Sequence, residues 1–199
     1  YILLRRQLIS VSRRSSGKYE DTGLRSSSPA VSQGDLWGAI RKEAQLLDLL
    51  VLAAMPAVLT LVYMFPPSAK LALVLEYSKP TVLTAFTSHF VHFTPTHLFV
   101  NVVGYVLVVT LGYLLALTGG RRRQFFTVFV TFVLVFPFGL SGLNLLWEWP
   151  GVGFGFSGVV MAFVGYLPLA LLSVLGNQFG LPVDQRQSNW LFLIVVTIA

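Results

Sequence analysis

Four long apolar runs dominate the pattern of hydrophobic and polar positions along this chain. They cover residues 46–65, 98–118, 125–143 and 156–175. A membrane-spanning helix needs about 20 apolar residues, because each residue adds about 1.5 Å across a core about 30 Å thick. Each run therefore predicts one membrane-spanning helix. A fifth apolar segment begins near Trp190.

The segment between the first two runs has a different pattern. Residues 66–96 contain two short apolar stretches, Leu71 to Leu75 and Val82 to Phe86. Neither stretch is long enough to cross a membrane as a helix. We expect a connection that dips into the membrane interface rather than a further span.

Three prolines, Pro56, Pro137 and Pro168, lie inside the apolar runs. Membrane helices tolerate proline when neighbouring groups satisfy the carbonyls that it leaves free. We therefore expect kinks at these positions and continuous spans on either side.

Residues 1–45 are polar and rich in arginine and serine. A segment of this composition buries too little apolar surface to fold, so we expect a mostly disordered cytoplasmic tail. A transit peptide is the alternative, but Glu20, Asp21 and Asp35 argue against it because transit peptides are poor in acidic residues. Residues 46–199 then form a single transmembrane domain.

Composition narrows the class of protein. The chain is 55% hydrophobic and 11% charged, which is typical of a polytopic membrane protein and excludes a soluble globular domain. We therefore predict an all-α, polytopic membrane helical bundle. The net charge of +6 comes with no basic face carrying base-reading residues, so no nucleic acid partner is predicted. The chain has no cysteine, which excludes disulfides, thiolate metal ligands and a cysteine nucleophile.

The basic residues predict the orientation of the spans. If the spans alternate in direction, Lys70 and Lys79 fall on one side of the membrane and the other 12 lysines and arginines fall on the opposite side. Because basic residues accumulate on the cytoplasmic side, the tail is predicted to be cytoplasmic. We place the protein in the bilayer of a prokaryotic plasma membrane rather than an organelle.

This topology brings three polar residues to one face of the membrane. His97 and Asn101 open the second run and Ser157 opens the fourth, and both runs are predicted to cross from outside to inside. Asn101 lies one helical turn deeper than His97, about 6 Å. Polar groups at membrane depth are costly and mark functional sites.

His97 and Asn101 are spaced i, i+4 and so share one helix face. That face can present two hydrogen-bond donors to one point, as an oxyanion hole requires. The alternative is a buried pair that bonds a neighbouring helix and serves only packing.

Ser157 lies between two glycines, Gly155 and Gly158. Gly155 would let the backbone approach a substrate carbonyl, and Gly158 would let two helices pack closely. The amides at a helix N-terminus also stabilise negative charge. The alternative is a small-residue helix contact with an incidental serine. The pair of motifs on one membrane face favours a functional site.

Two other readings of these residues are weaker. Gly153, Gly155 and Gly158 fit a dinucleotide-binding spacing, but we predict no preceding strand and no βαβ unit. His89 and His92 have no carboxylate or cysteine at ligand spacing, so no metal site is predicted. We expect them to line the outer loop, with His92 supporting the site by hydrogen bonding.

Two segments resemble rhomboid intramembrane serine proteases. Residues 88–101 resemble the conserved start of their second helix, an H-x-x-x-x-H-x-x-x-N pattern formed by His92, His97 and Asn101. Residues 155–166 resemble the G-x-S-G start of their fourth helix, including the Gly-Tyr that follows. The resemblance covers residues 46–199 and implies a rhomboid-like bundle, with about five spans present of an expected six.

The resemblance implies a serine endopeptidase that needs no cofactor and no metal. Ser157 would be the nucleophile, and His97, Asn101 and the Ser157 amide would form the oxyanion hole. Gly155, Gly158 and His92 would support the site. Substrates would be transmembrane proteins, unwound near the outer face and cut beside a small residue.

The sequence departs from the family in two places. Leu83 and Thr84 stand near the position of a frequent Trp-Arg pair, and no histidine follows Ser157, although the family takes its base from a histidine on the sixth span. We expect that the chain is truncated before that span and is inactive in this form. The alternative is an inactive rhomboid-like protein that binds transmembrane clients. A small-solute transporter ranks last, because Asp48 is the only acidic residue inside a run.

Overall fold

The computed structural model describes residues 44–147 and 151–179, together with Gly38. The predictions for the tail, for the apolar segment near Trp190 and for residues 148–150 lie outside these residues, except at Gly38 and positions 44 and 45. The described part of the chain is mostly helical, as an all-α bundle requires. Its helices and strands, in chain order, are α1 (Leu46–Tyr63), α2 (Pro67–Leu71), β1 (Leu75–Glu76), α3 (Val82–Thr87), a 3₁₀ turn (Ser88–Phe90), α4 (Pro95–Thr118), α5 (Arg122–Val130), a π-helical turn (Thr131–Val135), α6 (Phe136–Trp147), β2 (Val152–Gly153) and α7 (Ser157–Phe179).

Four helical segments of the described residues are long and apolar enough to cross a membrane, which is typical of a multi-pass membrane protein. They are Leu46–Tyr63, Pro95–Thr118, Arg122–Trp147 and Ser157–Gly176. The four apolar runs are thus helices, as predicted. The third is longer than the run at 125–143, because its first turn includes Arg122, whose charge is paired with an aspartate of α1.

Helices α4 and α7 pack side by side and run in the same direction. Glycines of α4 meet side chains of α7 at increasing depth: Gly104 meets Val160, Gly112 meets Tyr166 and Gly119 meets Val174. A Cβ added at any of these glycines would lie 3.3–3.5 Å from its partner. Small residues let membrane helices approach closely, so this row of glycines sets the distance between the two helices. The N-termini of α4 and α7 therefore lie at the same end of the bundle.

The prolines have two different effects. Pro56 and Pro168 lie inside continuous helices, α1 and α7. Pro137 follows the π-helical turn Thr131–Val135, so the distortion is at that turn. Proline has no N–H to donate to the carbonyl four residues earlier, and a π-helical turn is one way to accommodate that loss.

A buried cluster of charged and polar groups joins three helices at the other end of the bundle from the N-terminus of α4. The Asp48 carboxylate of α1 accepts hydrogen bonds from Tyr113 Oη of α4 at 2.6 Å and from Arg122 of α5 at 2.5 and 2.7 Å. Arg122 also donates to Gln45 Oε1 at 2.9 Å. A buried carboxylate is costly unless it is paired and hydrogen-bonded, and Asp48 is both.

The connection from α1 to α4 folds into short elements, and none of them is long enough to span a membrane. Strand β1 pairs with β2 in antiparallel register, Leu75 with Gly153 and Glu76 with Val152. Tyr77 N continues this pairing by donating to Gly151 O at 3.1 Å. The prediction of no strand before Gly155 was therefore wrong, although this two-residue strand belongs to no βαβ unit.

Candidate active site

Ser157 is the first residue of α7 and is exposed. Its hydroxyl makes no hydrogen bond with any residue that the structure describes. The preceding residue, Phe156, is fully buried against Phe90 and Tyr105, with ring centroids 5.7 and 6.0 Å away. This buried ring anchors the loop, so the serine is held at the end of the helix. The first N–H groups of a helix have no partner within it and stabilise negative charge.

Gly155 brings the loop that precedes Ser157 against His97. Its φ of +106° is a conformation that residues with a side chain rarely adopt. A Cβ at this position would lie 2.7 Å from Cε1 and 2.9 Å from Nε2 of the His97 imidazole. Gly155 N also donates to Ser88 O at 3.0 Å. The His97 ring thus fills the space that a side chain at this position would take.

The start of α4 orients His97 and Asn101. Pro95 is the first residue of the helix, and the Thr94 hydroxyl caps it by accepting from His97 N at 3.2 Å. Asn101 is buried, and its Nδ2 donates to His97 O at 2.9 Å. One of the two amide hydrogens is thus used within the helix, and the second is left for another acceptor. His97 therefore lies beside the Ser157 loop, with Asn101 one turn further along the same helix face.

His92 is fully buried and contacts His97 edge to face, with ring centroids 4.8 Å apart. Its Nδ1 lies 3.2 Å from Phe90 O, and because a carbonyl can only accept, the proton is on Nδ1. Nε2 is then an acceptor, and it is buried without a partner among the described residues. Burial lowers the pKa of His92 to about 4, and the charges of His97 and Lys70 act in the same direction. Among the described residues the His92 side chain meets His97 by ring contact and makes no hydrogen bond to it.

His89 links three parts of the structure, which sequence reasoning missed. Its Nε2 lies 3.0 Å from Pro137 O and 3.1 Å from Ser141 Oγ, both on α6. Ser141 Oγ in turn donates to Ala85 O of α3 at 2.6 Å. Burial lowers the pKa of His89, and hydrogen bonds to the backbone of Pro137 and Gly155 oppose that shift. Among residues 44–147 and 151–179, no group of three or more metal-binding side chains is found.

Gly158 allows α7 to lie against α6. A Cβ there would lie 2.7 Å from Leu140 Cδ1, so the Leu140 side chain would have to move to admit a larger residue. This is the close helix contact predicted for a small residue after the serine. The contact holds the N-terminus of α7 between α4 and α6.

Aromatic side chains pack around His97 and the glycines before Ser157, and the sequence did not predict this packing. Phe93 and Phe154 meet edge to face at 5.0 Å, and Phe154 meets His97 at 5.9 Å. The Tyr77 ring covers Gly151 and Gly153, where a Cβ would lie 3.2 and 2.8 Å from it. The alternating glycines before Ser157 are the only sequence signal for such a close approach.

No protein-family model, curated protein or solved structure matches this chain. The geometry of the described residues is therefore the basis for assigning a function. Two features carry the most weight: an exposed serine at a helix N-terminus and an imidazole packed against the loop that precedes it.

Proposed function

We propose that this chain is an intramembrane serine endopeptidase of the rhomboid kind, with Ser157 as nucleophile. One observation carries the proposal: Gly155, at positive φ and two residues before the exposed Ser157, lies against the His97 ring. Hydroxyl, imidazole and carboxamide groups then come from two parallel helices at one end of the bundle. Acyl transfer needs this set of groups, a nucleophile next to preorganised donors.

In the proposed reaction the Ser157 oxygen attacks the carbonyl carbon of a peptide bond and forms a tetrahedral oxyanion. His97, Asn101 and the Ser157 amide donate hydrogen bonds to that oxyanion. The C–N bond then breaks, the amine leaves with the proton taken from Ser157, and water hydrolyses the acyl ester. A base must carry that proton. In rhomboid proteases that base is a histidine on the sixth span, which takes the proton from the serine and gives it to the leaving amine; no histidine follows Ser157 in this sequence.

The proposed substrate is a membrane-spanning helix of another protein, unwound near the outer face and cut beside a small residue. The distribution of basic residues supports an outward-facing site with a cytoplasmic N-terminus. The membrane in this proposal is a prokaryotic plasma membrane. The proposed reaction uses no metal and no organic cofactor.

Cleavage of a transmembrane reporter tests the proposal. The full-length product of the gene is reconstituted with single-span proteins that carry small residues near the outer end of the span. We expect two fragments from the wild type and none from Ser157→Ala. Equal cleavage by both proteins would rule out Ser157 as the nucleophile.

A client-binding protein on the same scaffold is the second candidate, favoured because no described side chain accepts a hydrogen bond from the Ser157 hydroxyl, as a paired base would. It predicts that single-span proteins bind equally well to the wild type and to Ser157→Ala. It also predicts that neither form releases fragments, so the reporter assay separates the two candidates.

Asn101→Ala tests the assigned oxyanion hole. Removing one donor of this kind typically costs about 10²–10³ in rate, so we expect a loss of kcat of that size. The measurement is kcat for reporter cleavage, with Asn144→Ala on α6 as the matched control. An Asn101→Ala variant with wild-type turnover would remove Asn101 from the site.

A further inference from the structure

Lys70 is a buried lysine in the connection between α1 and α4. It lies on α2, and its side chain is 7% exposed. Its Nζ donates to Tyr63 O and to His92 O, each at 3.2 Å. A buried ammonium group needs such partners, because an unpaired charge inside a protein is costly. The bond to His92 O joins residues 22 positions apart in sequence.

Two aromatic rings complete the surroundings of Lys70. Its Nζ lies 4.7 Å from the centroid of the Tyr63 ring and 5.5 Å from that of the Phe93 ring. A cation over an aromatic face is attracted electrostatically, and more strongly when water is excluded. Lys70 thus holds the end of α1 and residues 92–93 together around one charge.

Lys70 contacts His92 and Phe93 outside α1, and both are connected to His97 by ring contacts. The His92 ring contacts the His97 ring at 4.8 Å. The Phe93 ring contacts Phe154 at 5.0 Å, and Phe154 contacts His97 at 5.9 Å. The His97 ring therefore contacts His92 directly and is linked to Phe93 through Phe154.

A simpler role, capping the C-terminal end of α1, explains only half of these contacts. A lysine near a helix C-terminus bonds its last carbonyls favourably, which accounts for the bond to Tyr63 O. It does not account for the bond to His92 O or for the contact with Phe93. We propose that Lys70 is a positioning residue that holds His92 and Phe93, and through them His97, against the Gly155 loop. This inference rests on the proposed function, because it assigns Lys70 a role in that site.

Lys70→Met removes the cation and its donors but keeps a long apolar side chain. Displacing a catalytic group by about 1 Å can cost about 10²-fold in rate, so we expect kcat for reporter cleavage to fall about 10- to 100-fold. KM should stay unchanged, because Lys70 does not contact the proposed substrate. Lys70→Arg, which keeps a cation with several donors, should recover most of the lost rate. Lys79→Met, at an exposed lysine of the same connection, should behave as wild type.

A second readout does not depend on catalysis. The ring ¹⁵N signals of His92 and His97, assigned with His92→Gln and His97→Gln variants, should shift in Lys70→Met and return towards wild type in Lys70→Arg. Unchanged histidine signals, a wild-type kcat in Lys70→Met, or equal losses in Lys70→Met and Lys70→Arg would each overturn the inference.

The two readouts also separate this inference from the proposed function. If the wild type cleaves no reporter, the proposed function fails and the histidine signals alone decide the role of Lys70. If Lys70→Met does not fold, Phe93→Leu decides it, because that variant keeps the cation and removes one of its two links to His97. Phe93→Leu should then lower kcat and shift the His97 signals, and a wild-type result in both would contradict the inference.

Discussion

Gly155→Ala is expected to reduce reporter cleavage about 10³-fold or more, because it both misplaces the nucleophile and displaces an oxyanion donor. Alanine resists the φ of +106° at this position. Its Cβ would also lie 2.7 Å from His97 Cε1, so the ring has to move away from the Ser157 loop. The measurement is kcat for the full-length protein, with thermal unfolding showing that the variant still folds.

Two other glycines separate strain from collision. Gly120 also has a positive φ, +65°, but no atom lies within 4 Å of an added Cβ, so Gly120→Ala tests backbone strain alone. Gly139 lies in α6 with open space around it and tests neither effect. Both variants should cleave as the wild type does. A Gly155→Ala variant that also cleaved normally would mean that the contact with His97 has no role in catalysis.

Asp48→Ala should produce the largest loss of stability, a fall of about 5–10 °C in the midpoint of thermal unfolding. The substitution leaves Arg122 and the Tyr113 hydroxyl without the carboxylate that accepts their hydrogen bonds. Groups that are buried and lose their partners pay the full cost of leaving water. Tyr113 lies 16 residues from His97 along α4, about 24 Å, so the folded variant should keep its cleavage rate.

Removing Arg122 instead of Asp48 gives the matched comparison for the ion pair. Arg122→Met leaves the Asp48 carboxylate, whose side chain is 3% exposed, without its cation. The double variant Asp48→Ala, Arg122→Met leaves neither charge alone, so it should unfold at a higher temperature than Arg122→Met. Midpoints of Asp48→Ala and Arg122→Met equal to that of the wild type would show that the ion pair adds nothing to the joining of α1, α4 and α5.

The spanning helices could be predicted because their signal is local. Each is a run of apolar residues of the length that a bilayer requires, and hydropathy needs no knowledge of neighbours. The start of α4 is also local, since Thr94 and Pro95 form an ordinary helix cap. The strand pair could not be predicted in the same way. Val152 and Gly153 pair with a segment more than 70 residues earlier, and two residues are too few to show a period.

Some features of the candidate site could also be predicted from local sequence, and others could not. The shared face of His97 and Asn101 follows from helical spacing, and their nearness to the start of α7 follows from alternating spans. The contact between Gly155 and His97 could not be read from spacing, because it depends on one positive φ. Lys70 gave only an orientation signal in the sequence. Its burial results from the way in which α2 folds back under residues 92 and 93.

Identification of the residue that a fluorophosphonate modifies tests the central claim most directly. The full-length protein is labelled in membranes, digested and analysed by mass spectrometry, with Ser157→Ala treated in parallel. We predict a phosphonate adduct on the peptide that contains Ser157, and no adduct in the variant. An adduct on another residue, labelling that persists in Ser157→Ala, or no labelling of the folded wild type would contradict the assignment of Ser157 as nucleophile.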